Sequence, residues 1–157
     1  MIILGIDPGT ATTGYGLIEV SKKSKKFKTI DYGCITTTPD FSDAERLNQT
    51  YKELDKIFKK YKPDALAIEN IFFFKNSKTA IKVSQTKGVV LFWAARHQIP
   101  VYEFTPLQVK MGIVGYGRAQ KKQIQRMIKE ILNLDTVPKP DDAADALAIA
   151  VCCSYCL

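Results

Sequence analysis

Acidic residues occupy three places in this sequence where carboxylates are unusual. Asp7 ends the apolar run IILGID, and Glu69 ends a second short apolar run, ALAIE. Asp142 and Asp145 lie three residues apart at the start of the segment DDAADALAIA, so on a helix they share one face. A carboxylate is unfavourable in a buried strand and costly to desolvate unless it is paired or bound to a metal. The pattern therefore predicts a site at which several carboxylates meet.

Four carboxylates that converge on one point would repel one another and would need a cation. Ligand sets made only of oxygen select hard ions such as Mg²⁺ or Mn²⁺. Two such ions about 3.5–4 Å apart can stabilise the attacking and leaving oxygens of a phosphodiester hydrolysis. These acids are thus the expected ligands of a metal-dependent phosphodiesterase.

Each acid also has a simpler interpretation when it is taken alone. Asp7 precedes Pro-Gly and could only form a turn, and Glu69 could pair with a lysine. Asp142 and Asp145 could complement the positive end of a helix dipole. We expect the neighbouring Asp141 to be the N-cap of that helix rather than a ligand.

The remainder of the chain is basic, which fits a nucleic acid partner. Lysine and arginine number 23 against 16 acidic residues, for a net charge of +7. No apolar run reaches the roughly 18–20 residues needed to cross a bilayer, and the first residues lack the pattern of a signal peptide. We therefore expect a cytoplasmic protein without membrane association. The cysteines near the end of the chain, Cys152, Cys153 and Cys156, form no recognisable disulfide or zinc pattern.

The length of 157 residues favours a single domain over residues 1–157. Apolar patterning predicts an α/β fold with the order βββαβαβαα and a mixed five-stranded sheet. Short turns join the first three strands into an antiparallel meander, and a helical crossover makes the fourth parallel to the first. The predicted strands cover residues 2–7, 14–20, 27–37, 64–70 and 101–106.

Helix signals occupy the remaining segments. A capping box of Ser42 and Glu45 begins the first helix, which ends at Pro63. A second helix over about 79–97 contains Gly88. A glycine inside a helix predicts close packing at that position, and this helix is our choice for a dimer interface. The glycine-rich segment 111–120 is predicted to be a mobile loop. A helix over about 119–132 is predicted to turn Ile124, Met127, Ile128 and Ile131 inward, and the last helix begins after Pro140.

The motifs GIDPGTATTGYG, AIENIFF and DDAADALAIA resemble, in order and spacing, those of the RuvC family of Holliday junction resolvases. The resemblance covers essentially the whole chain and implies an RNase H-like nuclease fold. It assigns catalytic and metal-binding roles to Asp7, Glu69, Asp142 and Asp145. It also implies two Mg²⁺ ions in each active site, with Mn²⁺ as a substitute.

The same resemblance implies a biological role. The family acts as a homodimer that nicks two strands of like polarity symmetrically at four-way DNA junctions. The cuts leave 5′-phosphate and 3′-hydroxyl ends and serve DNA recombination and repair, together with the RuvA–RuvB branch-migration complex. Another RNase H-like nuclease, or a junction-binding protein without catalysis, remains the alternative.

Further positions that the resemblance suggests are candidate DNA contacts. Phe72 matches an aromatic residue that stacks on bases at the opened junction. Lys110 and Lys121 match lysines near the active centre, and Lys121 could also stabilise the transition state electrostatically. Lys87 stands where the family usually has arginine, which changes the geometry of its contacts. The full set of predicted DNA contacts is Phe72, Phe73, Lys87, Lys110, Arg118, Lys121 and Lys122.

Overall fold

A computed structural model describes residues 1–21, 23–24, 26–70 and 77–157, with the side chains of 77–79 excluded. Phe72, the predicted base-stacking residue, and Phe73, a further predicted DNA contact, lie outside these described residues.

One mixed five-stranded sheet forms the centre of the described structure. Its spatial order is β3-β2-β1-β4-β5, with the first three strands antiparallel and β1, β4 and β5 parallel. β1 lies in the middle of the sheet, where both of its faces are covered, and its continuous apolar run suits that position. This topology confirms the predicted meander and crossover. The strands are β1 (Ile2–Asp7), β2 (Thr12–Val20), β3 (Phe27–Thr36), β4 (Ala65–Glu69) and β5 (Val101–Phe104).

Helices cover both faces of the sheet. Successive residues of β1 point to opposite sides, so Leu4 joins a core with two helices and Ile3 joins a core with the other three. The first core contains residues of α1 (Asp43–Tyr61) and α2 (Ser77–Arg96). The second contains residues of α3 (Pro106–Val114), α4 (Lys121–Ile131) and α5 (Asp141–Ser154). The capping box of Ser42 and Glu45 is present at the start of α1, as predicted.

The helix α3 corrects the prediction of a loop over residues 111–120. Residues 111–114 belong to this helix, and only Gly115 to Gln120 form a connection. The sequence did contain a signal for it, because Thr105 and Gln108 form a capping box with Pro106 in the first turn. Gly115 ends the helix with φ of +70°. The glycines of this segment favour a loop, but the N-terminal capping box stabilises a helix as far as Val114.

Two expectations about packing are also wrong. Met127 is 39% exposed, and Gln125 is buried in its place, while Ile124 and Ile128 point inward as predicted. Gly88 is not closely packed, since a Cβ built on it meets no atom within 4 Å among the described residues. The exposed side of α2 at Gly88 is therefore free of contacts with the described part of the chain.

The helix α5 lies directly on β1 and β2. A Cβ on Gly5 would be 2.1 Å from the carbonyl oxygen of Ala146, and a Cβ on Gly14 would be 2.0 Å from that of Asp142. Neither position has room for a side chain, so glycine is what permits this close approach. The contact sets the height of α5 above the end of β1.

The described helices include none that combines the length and the apolar character required to span a membrane.

Candidate active site

The carboxyl ends of β1 and β4 place the first two acids side by side. The strands are parallel neighbours, with Ile6 paired to Ile68, so the next residues, Asp7 and Glu69, occupy equivalent positions. The carboxyl edge of a parallel pair is where α/β proteins commonly build their sites. Both acids are half-buried.

The first turns of α5 bring the other two acids to the same edge. Asp7 pairs with Gly14 across the antiparallel ladder, and Gly14 in turn lies against the backbone of Asp142. Asp145 follows one turn later and is half-buried like Asp142. The structure therefore brings together the four acids that the sequence singled out.

Asp141 has a different place from the one we expected. Pro140 is the N-cap of α5, and Asp141 is the first helical residue, without a side-chain capping bond. Its carboxylate lies 3.6 Å from the ammonium group of Lys139 and 3.9 Å from that of Lys121. The N-cap prediction is wrong because proline, which fixes φ near −65°, already occupies the cap position.

Burial and mutual repulsion raise the pKa values of Asp7, Glu69 and Asp145. Burial, followed by the negative charges of Glu69, Asp145 and Asp142, raises the pKa of Asp7 to about 7. Burial and the charge of Asp145 raise the pKa of Glu69, although Lys110 and Lys121 act in the opposite direction. Burial raises the pKa of Asp145 in spite of its bond to Lys121. The acids thus interact strongly, which is typical of a functional site.

Two predicted lysines border the same site. Nζ of Lys121, at the start of α4, lies 2.7 Å from Oδ2 of Asp145. Lys110 of α3 is half-buried. Both lysines line a cavity of about 190 Å³ together with Glu69 and Asp145. Apolar side chains from α3, α4 and α5 form the rest of its wall: Pro106, Val109, Ile124, Ala148 and Ile149.

The chemistry of the four acids fits a hard divalent cation. They supply only oxygen donors, and a bound cation would offset both the burial and the repulsion that raise the pKa of Asp7. In the present conformation, no three His, Cys, Asp or Glu side chains among the described residues are arranged to hold one ion. The ammonium group of Lys121 lies beside Asp145 instead. Coordination of one cation by three of these carboxylates would therefore require their side chains to move.

The other predicted contacts lie outside this cluster. The Lys87 ammonium group, on α2, donates to Oδ1 of Asn70 at 3.0 Å and to Oε2 of Glu103 at 2.5 Å. Its side chain is only 13% exposed. Arg118 and Lys122 are exposed on either side of the start of α4. No local sequence pattern indicated that Lys87 would join the end of β4 to β5.

Comparison with known proteins identifies the family. Residues 3–153 match the family model described as crossover junction endodeoxyribonuclease RuvC. The chain belongs to the RuvC family. The protein of that name from Fusobacterium nucleatum is 54% identical over 151 residues, which cover 96% of this chain and 78% of the relative. The RuvC of Alkaliphilus oremlandii is 55% identical over 152 residues, covering 97% of this chain and 92% of the relative.

Solved structures agree with this membership. Thermus thermophilus RuvC has a TM-score of 0.90 at 34% identity, covering 99% of this chain and 95% of that one. The same protein in complex with a Holliday junction substrate has a TM-score of 0.89 at 30% identity, with the same coverage. The predicted RNase H-like α/β fold is confirmed, with α3 as the one added helix. Membership of this family implies a metal-dependent nuclease.

Proposed function

We infer that this chain is a Holliday junction resolvase, an endonuclease that acts in DNA recombination and repair. The observation that carries this inference is the match to the RuvC family over residues 3–153, together with the convergence of four acids at one edge of the sheet. A relative of the same fold was solved with a Holliday junction substrate. We propose that the protein nicks two strands of like polarity symmetrically and leaves 5′-phosphate and 3′-hydroxyl ends.

The proposed chemistry rests on Asp7, Glu69, Asp142 and Asp145 as the catalytic residues that hold two Mg²⁺ ions, for which Mn²⁺ is a substitute. When bound, the cations supply Lewis acidity for attack of water on the phosphorus and for departure of the 3′-oxygen. Asp7 and Glu69 stand at the ends of paired strands, so the sheet fixes their backbone positions before DNA binds. The surrounding lysines attract and orient the phosphate backbone.

Mapping of cut sites on a mobile four-way junction tests this function. We expect paired nicks at symmetric positions in Mg²⁺ and none in EDTA. Cutting of an RNA–DNA hybrid in preference to the junction would favour another RNase H-like nuclease. Tight junction binding without cutting in either Mg²⁺ or Mn²⁺ would favour a binding protein without catalysis.

Lys121 is proposed to contact the phosphate and to stabilise the transition state. Replacement of Lys121 by Met removes the ammonium group that lies 2.7 Å from Asp145. We expect the single-turnover cutting rate to fall about 10²-fold, as for loss of one preorganised donor. Lys129→Met, on the same helix but paired with Glu130 at 3.7 Å, is the matched control. Equal rates for the two variants would contradict the role of Lys121.

The remaining predicted DNA contacts stay proposals. Arg118, Lys122 and Lys110 are proposed to bind phosphates, and Phe72 to stack on bases at the junction centre, with Phe73 as a further DNA contact. Lys87 is engaged with Asn70 and Glu103, so a DNA contact would require it to exchange these partners. To test whether Lys87 contacts DNA, the junction affinity of Lys87→Met is compared with that of Lys122→Met at two salt concentrations. Loss of a phosphate contact reduces the salt dependence of the affinity.

The exposed face of α2 supports a homodimer. Ile81 and Phe92 are 56% and 57% exposed, and Gly88 lies between them on the same side of the helix. Large apolar side chains aligned along one exposed helix face are characteristic of an interface, and a two-fold dimer matches a four-way junction.

Phe92→Glu is expected to weaken this dimer about 100-fold or more, because it replaces a large apolar side chain of this face by a charge. Sedimentation velocity over a range of protein concentrations measures the change. Phe41→Glu is the control, since Phe41 is 44% exposed but lies before α1. A dimer that survives Phe92→Glu with unchanged affinity would place the interface elsewhere.

Three further expectations accompany the function as proposals. Residues 1–157 form a single nuclease domain, the protein works with the RuvA–RuvB complex, and it is located in the cytoplasm. Co-purification of this chain with RuvA and RuvB in the presence of junction DNA tests the second of these.

A further inference from the structure

The turn that follows Asp7 is bonded to a helix on the opposite side of the sheet from α5. Nη2 of Arg46, on α1, donates to the carbonyl oxygen of Thr10 at 2.9 Å. Nε of Arg46 donates to Oγ1 of Thr37 at 2.9 Å, and that hydroxyl donates to the same Thr10 oxygen at 2.9 Å. Arg46, Thr37 and Thr10 therefore form a closed hydrogen-bonded ring around one carbonyl group.

The ring controls a short and stiff segment. Only Pro8 to Ala11 separate β1 from β2. A Cβ on Gly9 would be 2.1 Å from the carbonyl oxygen of Thr12, so the turn is tight. Thr13 donates to the Gly9 carbonyl at 3.0 Å, and the Thr37 amide donates to the Ala11 carbonyl at 2.9 Å. Because these hydrogen bonds restrict the backbone of the turn, it moves as a unit. Asp7 is bonded directly to the first residue of the turn, Pro8.

The ring requires the particular shape of arginine. The two donors of Arg46 point in fixed directions at two different acceptors, whereas the single ammonium group of lysine cannot reproduce that fork. Thr37 is buried, so its hydroxyl depends on these partners. The three bonds together fix the turn relative to both α1 and the end of β3.

We propose that Arg46 is a positioning residue for Asp7: through Thr37 and Thr10 it holds the β1–β2 turn so that the Asp7 carboxylate faces the other acids. This role rests on the proposed function of Asp7 in junction cutting. Arg46 makes its contacts with protein groups and not with the reacting atoms. Displacement of a reacting group by about 1 Å can cost about 10²-fold in rate, so loss of the ring is expected to reduce cutting without a comparable loss of DNA binding.

The test compares four variants. Arg46→Met retains an unbranched apolar side chain that reaches about as far as Nε but has no donors. Arg46→Lys retains the charge, Thr37→Val removes the hydroxyl, and Thr37→Ser retains it. Gln49→Leu is the matched control, because Gln49 also joins α1 to β3, donating to the Thr36 carbonyl at 3.1 Å, but does not touch the turn. Each protein is assayed for single-turnover cutting in Mg²⁺, junction affinity in EDTA, and amide hydrogen exchange of residues 7–13 in EDTA.

We expect Arg46→Met, Arg46→Lys and Thr37→Val to cut about 10- to 100-fold more slowly, with junction affinity within about threefold of wild type. Exchange in residues 7–13 should increase in these variants and not in Thr37→Ser or Gln49→Leu. A purely structural role of Arg46 would leave the cutting rate of the folded variants unchanged, and full activity of Arg46→Lys would mean that only the charge of residue 46 matters. Either result overturns the proposal.

The exchange measurement separates this proposal from the function on which it rests. If exchange of residues 7–13 is unchanged in Arg46→Met and in Thr37→Val, Arg46 does not hold the turn, whatever the cutting rates are. If wild-type protein cuts no junction in Mg²⁺ or Mn²⁺, the proposed function fails first, and the positioning role fails with it. If Arg46→Met does not fold, Arg46→Lys and Thr37→Val decide the outcome.

Discussion

Asp7→Asn is expected to abolish junction cutting while leaving the protein folded. The carboxylate lies at the centre of the acidic cluster, where Glu69, Asp145 and Asp142 all act on it. Asparagine has almost the same shape but no charge with which to bind a cation. A loss of several kcal/mol of transition-state stabilisation corresponds to a rate reduced by about 10³-fold or more. Single-turnover cutting of a synthetic four-way junction in Mg²⁺ measures it.

The matched control for this result is Asp64→Asn. Asp64 is an exposed acid just before β4, where its carboxylate accepts a bond from the Ile2 amide at 2.7 Å, away from the cluster. We expect this variant to cut at close to the wild-type rate. If Asp7→Asn cuts as well as wild type does, the acidic cluster is not the active site.

The same substitution is expected to stabilise the protein when divalent cations are absent. The pKa of Asp7 is 3.8 in an unfolded chain and about 7 in the folded one. Between these values the folded state binds more protons than the unfolded state, so the free energy of unfolding falls as the pH rises from about 4 to 7. A shift of this size corresponds to about 4 kcal/mol at most.

Melting temperatures in EDTA between pH 4 and pH 8 test the sign of this effect. Asp7→Asn should melt higher than wild type at pH 8, and the difference should shrink towards pH 4. Addition of Mg²⁺ should favour the wild-type protein, because a ligand that binds only the folded state stabilises it. A variant that is less stable than wild type at pH 8 in EDTA would show that Asp7 is not electrostatically strained.

Gly14→Ala is expected to damage both stability and activity. The new methyl group would lie 2.0 Å from the carbonyl oxygen of Asp142 and 2.4 Å from its carbonyl carbon. Because both atoms are backbone, α5 must move away from β2, and it carries Asp142 and Asp145 with it. Overpacking of this kind costs about 1–3 kcal/mol, and misplacement of two acids should slow cutting about 10²-fold.

Gly33→Ala is the control for the clash at Gly14. A Cβ on Gly33 would meet the Tyr15 side chain at 3.0–3.2 Å and would not approach α5. Chemical denaturation gives the change in stability of both variants, and single-turnover cutting gives the change in activity. If Gly14→Ala cuts as fast as Gly33→Ala does, the height of α5 is not what positions these acids.

The sequence by itself determined the sheet, the acids and the family. Apolar runs of β1 and β4 are short and continuous, which is a local signal, and the acids stand out because they end those runs. The capping box of Ser42 and Glu45 was readable for the same reason, since it depends on residues three positions apart. The same type of signal at Thr105 and Gln108 was available for α3, but the glycines that follow obscured it.

Only the tertiary structure decided how these pieces act on one another. The raised pKa of Asp7 comes from burial and from charges distant in sequence, which no local pattern encodes. The ring of Arg46 around Thr10 and the packing of α5 on Gly14 join elements far apart in the chain. The bond of Lys87 to Glu103 joins two successive elements, but it too depends on how they pack. Chemical identity is a property of single residues, whereas the electrostatics and alignment of a site arise from packing. The sequence therefore indicated which groups belong to the candidate site, and the fold determined how they are held.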